Sequence, residues 1–309
     1  MSKVLFLFLD GVGIGLDNPA INPFAGAELP NLSQLLDGNR LVQGVAPLQG
    51  SQATLLEVDA VMGVDGTPQS ATGQAALVTG RNVSRLVGEH YGPKPNKAVA
   101  EVIRQDNLFA QVLNRSGTAA LLNGYPPRYF EGIDSGHRLY SSIPLAATSA
   151  GLELMTEEQM QDGMAFAADF TGVGWSAQPG FPPAPIYEAA EAGRKLAEAT
   201  ANYDLAWFDF WPSDFAGHRG QMAEATSLLE SLDGVLGGLV EAWQGRPDLV
   251  VISSDHGNLE DLSKKGHTTN PVPAILIGPI AERRRFGDEL TDLASFAPAI
   301  LEAIFGAQD

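Results

Sequence analysis

The sequence predicts an α/β fold, a doubly wound and mostly parallel sheet with helices on both faces. Three observations carry this reading. Val4 to Leu9 (VLFLFL) is an unbroken apolar run ending on Asp10 and a glycine-rich turn, the pattern of a central strand buried on both faces. From Tyr187 onward, helical and strand-like segments alternate. Polar and charged residues follow the strand-like segments directly, where the ligand crevice of such sheets lies.

In chain order, Pro30, Asn31 and the spacing of Leu32, Leu35 and Leu36 predict a short helix, and Thr54 to Val61 a second strand. Ser70 follows a Gly/Pro-rich loop and precedes Ala71 to Thr79, a helix stopped by Gly80. Leu108 to Asn114 reads as helix and Thr118 to Leu122 as strand. Residues 124–186 are rich in Gly, Pro, Tyr and Phe and keep no period, so a lid or small cap insertion is expected there, within a single domain spanning 1–309. Helix Tyr187 to Ala201, strand Leu205 to Trp211, helix Gln221 to Trp243, strands Asp248 to Ser253 and Ala274 to Ile277, and helix Leu290 to Phe305 complete the pattern.

Composition narrows the function. Nineteen basic against thirty-seven acidic residues give a formal charge of −18, which disfavours nucleic acid and anionic membranes as partners. A phosphate-bearing substrate would meet the same repulsion, so a local positive centre is required, and bound cations supply one. The absence of cysteine excludes disulfides, thiolate zinc sites and cysteine nucleophiles. The Val4 to Leu9 run is too short to span a membrane and lacks the flanks of a secretory signal, so a soluble, cytoplasmic protein is expected.

Four segments place reactive groups at strand ends. Asp10 in LDGVGIG follows the first strand; a dinucleotide fingerprint fails because its third glycine position is Leu16, and an aspartate-nucleophile pattern fails at Val12. A helix cap is the plain alternative for Asp10. In GTPQSATGQAALVTGRN, residues 66–82, Ser70 lies at a helix start that favours negative charge, and a serine N-cap is its plain alternative. In WPSDFAGHRG, Asp214 and His218 share one face if the turn is helical, as two ligands of one metal would. A surface pair is the alternative. In SSDHGNLEDLSKKGHTTNPVP, adjacent Asp255 and His256 stand at a strand end with His267 eleven residues beyond His256. Such a group is hard to explain as core or cap.

Together these segments resemble the alkaline phosphatase superfamily, in the metalloenzyme branch of cofactor-independent phosphoglycerate mutase and phosphopentomutase. Ser70, Gly73, Gly80 and Arg81 match the nucleophile pattern, and Asp214 to His218, Asp255 to Asn258 and His267 to Pro273 match the other elements. The resemblance implies two divalent metal ions, Mn2+ or Zn2+: Asp214, His218 and His267 would hold one, and Asp10, Ser70, Asp255 and His256 the other. It implies Ser70 as the catalytic nucleophile, a phosphoserine intermediate, and a small phosphorylated substrate handled by a phosphatase or phosphomutase. A phosphodiesterase on the same bimetal core and a non-catalytic metal-binding member are the alternatives. The chain departs from the pattern at Gln69, where Asn or Asp is usual, and at Gln74, where His is usual, and it has no insert as large as that of the phosphoglycerate mutases. Arg81, Arg128, His137, Arg138 and Lys265 are candidates for substrate contact, each with a solvated surface role as the alternative.

Overall fold

A computed structural model describes residues 2–307. Its sheet contains strands β1 (Val4–Leu9), β2 (Leu48–Gln49), β3 (Ala53–Val58), β4 (Ala119–Leu121), β5 (Leu205–Phe210), β6 (Leu249–Ser253) and β7 (Val272–Ile277). They lie in the order β2-β3-β7-β6-β1-β5-β4. β1 pairs in parallel with β5 and β6, and β4 with β5. β7 runs antiparallel between β6 and β3, and β2 antiparallel to β3. The sheet is therefore mixed and mostly parallel, as the alternation of segments predicts. The reversed β7 is the departure: a short loop after His267 leads straight into it, with no crossover helix to return the chain.

Alternate residues of β1 feed two cores. Val4, Phe6 and Phe8 pack on one face, and Leu5, Leu7 and Leu9 on the other. The first face is covered by helices Ser70–Thr79, Lys97–Gln105, Leu108–Asn114, Ser142–Ser149 and Phe296–Phe305, with Phe6 stacked on Trp207 at a centroid distance of 4.0 Å. The second is covered mainly by Ala189–Thr200 and Met222–Trp243. These two helices pack so closely that a Cβ at Gly193 would lie 2.6 Å from the Leu239 backbone nitrogen, which explains a glycine inside a helix despite its intrinsic penalty.

Residues 124–186 are more regular than their composition predicts. They contain helices Pro127–Asp134, Ser142–Ser149, Glu157–Gln161 and Val173–Ser176. Ser142–Ser149 (SIPLAATS) is buried from Ser142 to Ala147 within the first core, so that part of the stretch is wall rather than lid. Its small apolar residues face protein on nearly all sides and so leave no amphipathic period to read. Pro144 stands in its first turn, where a missing N–H is harmless.

Register fixes where the chemistry can assemble. Leu9 is opposite Phe210, and Phe8 opposite both Asp209 and Ser253. The segments after β1, β5 and β6 therefore leave the sheet side by side at its carboxyl edge. Among the described residues no helix is long and apolar enough to cross a membrane.

Candidate metal centre

Asp10 is the first residue past β1, and the chain then turns at Gly11 with φ of 68°. A Cβ at Gly11 would fall 2.6 Å from Asp214 Oδ1, so glycine serves both the left-handed backbone and the close approach. Ser70 is the first residue of helix Ser70–Thr79, and Gln69 takes the cap position without a side-chain capping bond. The Ser70 hydroxyl is thus free of a capping duty, and its Oγ lies 3.0 Å from His256 Nε2. Gly73 lets this helix press on the fourth segment, since a Cβ there would be 2.9 Å from the Asp255 carbonyl oxygen.

The WPSDFAGHRG segment does form a helix, Pro212–Arg219, with Pro at its first position. Asp214 and His218 consequently share a face, with His218 Nε2 3.3 Å from Asp214 Oδ2. His267 joins them from the loop before β7: its Nε2 is 3.3 Å from His218 Nε2 and 3.6 Å from Asp214 Oδ1. Its Nδ1 lies 2.9 Å from the Pro68 carbonyl, an acceptor that holds the proton there and leaves the Nε2 lone pair facing the cluster. Asn258 Nδ2 donates to Asp214 Oδ1 at 2.6 Å.

His256 Nε2 lies 3.5 Å from both Asp10 Oδ1 and Asp255 Oδ2. Gln74, standing where the family pattern has His, donates to Asp10 Oδ2 at 3.2 Å. The rings of His256 and His267 stack at 3.7 Å, which brings the two groups of donors together. Asp10, Asp255 and His256 form one convergent set, and Asp214, His256 and His267 another, each with ligand atoms within 4.8 Å of one another. His256 thus stands between sets that the resemblance would divide.

The electrostatics of the centre are unfavourable without a cation. Asp10 Oδ1 and Asp255 Oδ2 are buried and accept no hydrogen bond. Burial, then the charges of Asp255, Asp214 and Asp209, hold the Asp10 carboxyl well above the usual range. Burial and the Asp214 charge push Asp255 up to about 8. Burial, then His267, drive His256 well down, and burial lowers His267 against the opposing Pro68 bond and Asp214 charge. Buried carboxylates beside neutral imidazoles are what divalent cations stabilise, and oxygen and nitrogen donors without thiolate suit manganese or zinc. The residues present therefore fit two such ions.

The predicted substrate contacts are distributed differently. The 10-residue helix Ser70–Thr79 carries Arg81 to the end opposite Ser70, roughly 15 Å along the axis, where its Nη1 bonds Gln105 Oε1 at 3.4 Å. Arg128 is exposed with its guanidinium 4.1 Å above the Phe181 ring, and exposed His137 bonds Ser135 Oγ at 3.0 Å. Lys265 is exposed on the loop before His267. Arg138 is exposed and lies 5.0 Å over the Tyr129 ring, on the first face of the sheet.

Sequence reasoning missed Glu260, which is fully buried. It accepts from Gly13 N at 3.0 Å, Asn258 N at 2.8 Å, Asn270 Nδ2 at 2.9 Å and the Thr268 hydroxyl. One carboxylate thereby ties the Asp10 turn to both halves of the fourth segment. Its place just after Asp-His-Gly-Asn is the only signal the sequence offers, and burial is invisible there.

A family model described as the metalloenzyme superfamily matches residues 181–307. Over 127 residues the chain is 35% identical to a 2,3-bisphosphoglycerate-independent phosphoglycerate mutase of Cereibacter sphaeroides, covering 38% of this chain and 24% of that protein. The chain thus matches about a quarter of that curated relative's length. In fold it is similar to the PH0037 protein from Pyrococcus horikoshii, with a TM-score of 0.59 at 13% identity, covering 100% of this chain and 98% of the other. It is also similar to alkaline phosphatase from the Antarctic bacterium TAB5, with a TM-score of 0.51 at 11% identity and 100% of both chains covered. Residues 181–307 thus match the metalloenzyme superfamily, and the whole chain shares its fold with alkaline phosphatase.

Proposed function

We propose that the chain is a two-metal phosphoryl-transfer enzyme that acts on a small phosphorylated metabolite through a phosphoserine at Ser70. The observation that carries the reading is the Ser70 hydroxyl, released from capping and set 3.0 Å from His256 Nε2 amid buried, unpartnered carboxylates. Asp214, His218 and His267 would hold one ion, and Asp10, Ser70, Asp255 and His256 the other. When bound, manganese or zinc lowers the pKa of the serine hydroxyl and offsets charge on the transferring oxygens.

The chain's own residues supply the rest. Ser70 Oγ attacks phosphorus, the bond to the ester oxygen breaks, and the alcohol leaves with a proton. An acceptor hydroxyl, from water or an alcohol, then attacks the phosphoserine and restores Ser70. The start of helix Ser70–Thr79 places positive backbone dipole at the reacting group, and Gln74 and Asn258 hold the Asp10 and Asp214 carboxylates in orientation.

Protein loaded with manganese or zinc should hydrolyse phenyl phosphate and lose that activity to a chelator. Metal-free protein that stays inactive when either ion is supplied would instead favour a non-catalytic role. Incubation with 3-phosphoglycerate distinguishes the acceptors: formation of the 2-isomer indicates a mutase, and release of phosphate a phosphatase.

A further inference from the structure

Asp209, near the end of β5, belongs to neither convergent set of donors. Its backbone is locked to Asn123 on both sides, N to Oδ1 at 2.8 Å and O to Nδ2 at 2.8 Å. The residue is only 8% exposed, yet its buried Oδ1 has no hydrogen-bond partner. Register sets Asp209 beside Phe8, two residues before Asp10 and on the same face of the sheet. Buried acceptors of this kind are rarely left unmet, and a ligand is one way to meet them.

Two cation-bearing segments are fastened to the first turn of the Ser70 helix. Tyr91 O accepts from Thr72 N at 3.0 Å, and Tyr91 N donates to Thr72 Oγ1 at 3.1 Å. The next residue, Gly92, packs so closely that a Cβ there would be 3.3 Å from Ser70 N. Lys94 follows two residues later. On the other side Ser142 Oγ donates to Ala71 O at 2.8 Å, four residues after Arg138. Arg138 stands over Tyr129, which packs on Tyr125 at 4.6 Å and on Tyr140 at 6.2 Å and keeps its own buried hydroxyl unpartnered. Field effects agree with this placement. Burial raises the Asp209 carboxyl to about 7 against the opposing charge of Lys94, and burial and Arg138 lower Lys94.

We propose that Asp209, Lys94 and Arg138 form a subsite beside the metal centre for the alcohol part of the phosphate ester, with Asp209 Oδ1 accepting from a free hydroxyl on it. The substrate class is then a phosphate monoester of a polyol or sugar, rather than a bare aryl or alkyl phosphate. Lys94 and Arg138 draw the anion toward Ser70 through the field of a chain with net charge −18. This subsite rests on the reading of Ser70 as phosphoryl acceptor.

The test is binding to manganese-loaded Ser70→Ala protein, with glycerol 1-phosphate, phenyl phosphate and inorganic phosphate titrated by calorimetry. The expected result is a preference for glycerol 1-phosphate over phenyl phosphate that shrinks roughly tenfold or more when Asp209→Asn is added. Adding Lys94→Met should weaken glycerol 1-phosphate binding and flatten its salt dependence. No preference in the Ser70→Ala protein, or a preference unchanged by Asp209→Asn, overturns the proposal. If Asp209→Asn does not fold, unchanged affinity and salt dependence in the Lys94→Met protein overturns it. Because binding is read without turnover, an active parent that forms no phosphoserine sinks the Ser70 reading and leaves this result legible on its own.

Discussion

The Ser70 Oγ and His256 Nε2 atoms lie 3.0 Å apart although the two residues are 186 positions apart in sequence. The contact joins the start of a helix on one face of the sheet to the strand end after β6. If this hydroxyl is the phosphoryl acceptor, Ser70→Ala should lower turnover by about three orders of magnitude or more, the scale expected for removing a nucleophile. A phosphoenzyme trapped by rapid acid quench should vanish, while one metal equivalent remains on Asp214, His218 and His267. Mass spectrometry of the quenched protein and metal analysis read both outcomes. Unchanged turnover in the variant means that another group is the nucleophile.

Metal should act on stability as well as on activity. Asp10 and Asp255 bury unpartnered oxygens beside each other, and a divalent ion binding only the folded state adds RT ln(1 + [L]/Kd), about 2.7 kcal/mol at a hundredfold excess over Kd. Thermal melts with manganese or zinc titrated into chelator-treated protein should rise by several degrees. The Asp10→Asn, Asp255→Asn double variant should lose most of that rise. A melt insensitive to both ions would be incompatible with a metal centre.

Glu260 belongs to neither donor set but ties the Asp10 turn to the segment that carries His256 and His267. Glu260→Gln replaces an oxygen that accepts two hydrogen bonds with an amide nitrogen that accepts none. The expected loss is about 2 to 4 kcal/mol of stability by urea titration, and roughly tenfold or more in metal affinity at both sites, as for other groups that orient ligands. Destabilisation with both metal affinities unchanged would assign Glu260 a purely structural role.

The pH dependence of the metal-free protein follows from Asp209. Its carboxyl, ordinarily at 3.8, stands near 7 in the folded chain because burial disfavours its charge. Its contribution to stability is therefore full below the unfolded value and is lost as pH rises through about 7, at up to about 1.4 kcal/mol per pH unit. Urea midpoints should fall from about pH 4 to about pH 7, and the fall should be shallower in Asp209→Asn. Asp255 extends the decline in both proteins, since it titrates near 8. Identical slopes for the two proteins would contradict the burial of an unpaired Asp209.

Much of this was legible in the sequence because it is local. The VLFLFL run, the alternation after Tyr187 and the placement of Asp10, Asp214, Asp255 and His256 just past strands all follow from short-range pattern. The reversal of β7 was not legible, since strand direction is set by which distant neighbour it pairs with. Helix Ser142–Ser149 escaped because burial on nearly every side erases periodicity. In the site, Arg81 follows Ser70 at the family's spacing, but an intervening helix carries it to the far end. Glu260, Asp209 and Lys94 look like ordinary surface charges in one dimension. Only the packed chain shows that the two acids are buried and that Lys94 follows a loop strapped to the Ser70 helix.

The position of β1 between β5 and β6 has a consequence for dissecting the protein. Residues 181–307 include Asp214, His218, Asp255, His256 and His267, but neither Asp10 nor Ser70. Cut out alone, that stretch would leave β5 and β6 separated by the width of a missing strand, about 10 Å, with the backbone donors and acceptors of two facing edges exposed. Such a fragment should pair with itself or aggregate instead of binding metal. A split protein should regain its centre only when a piece supplying the first strand and the Ser70 helix is added back in trans.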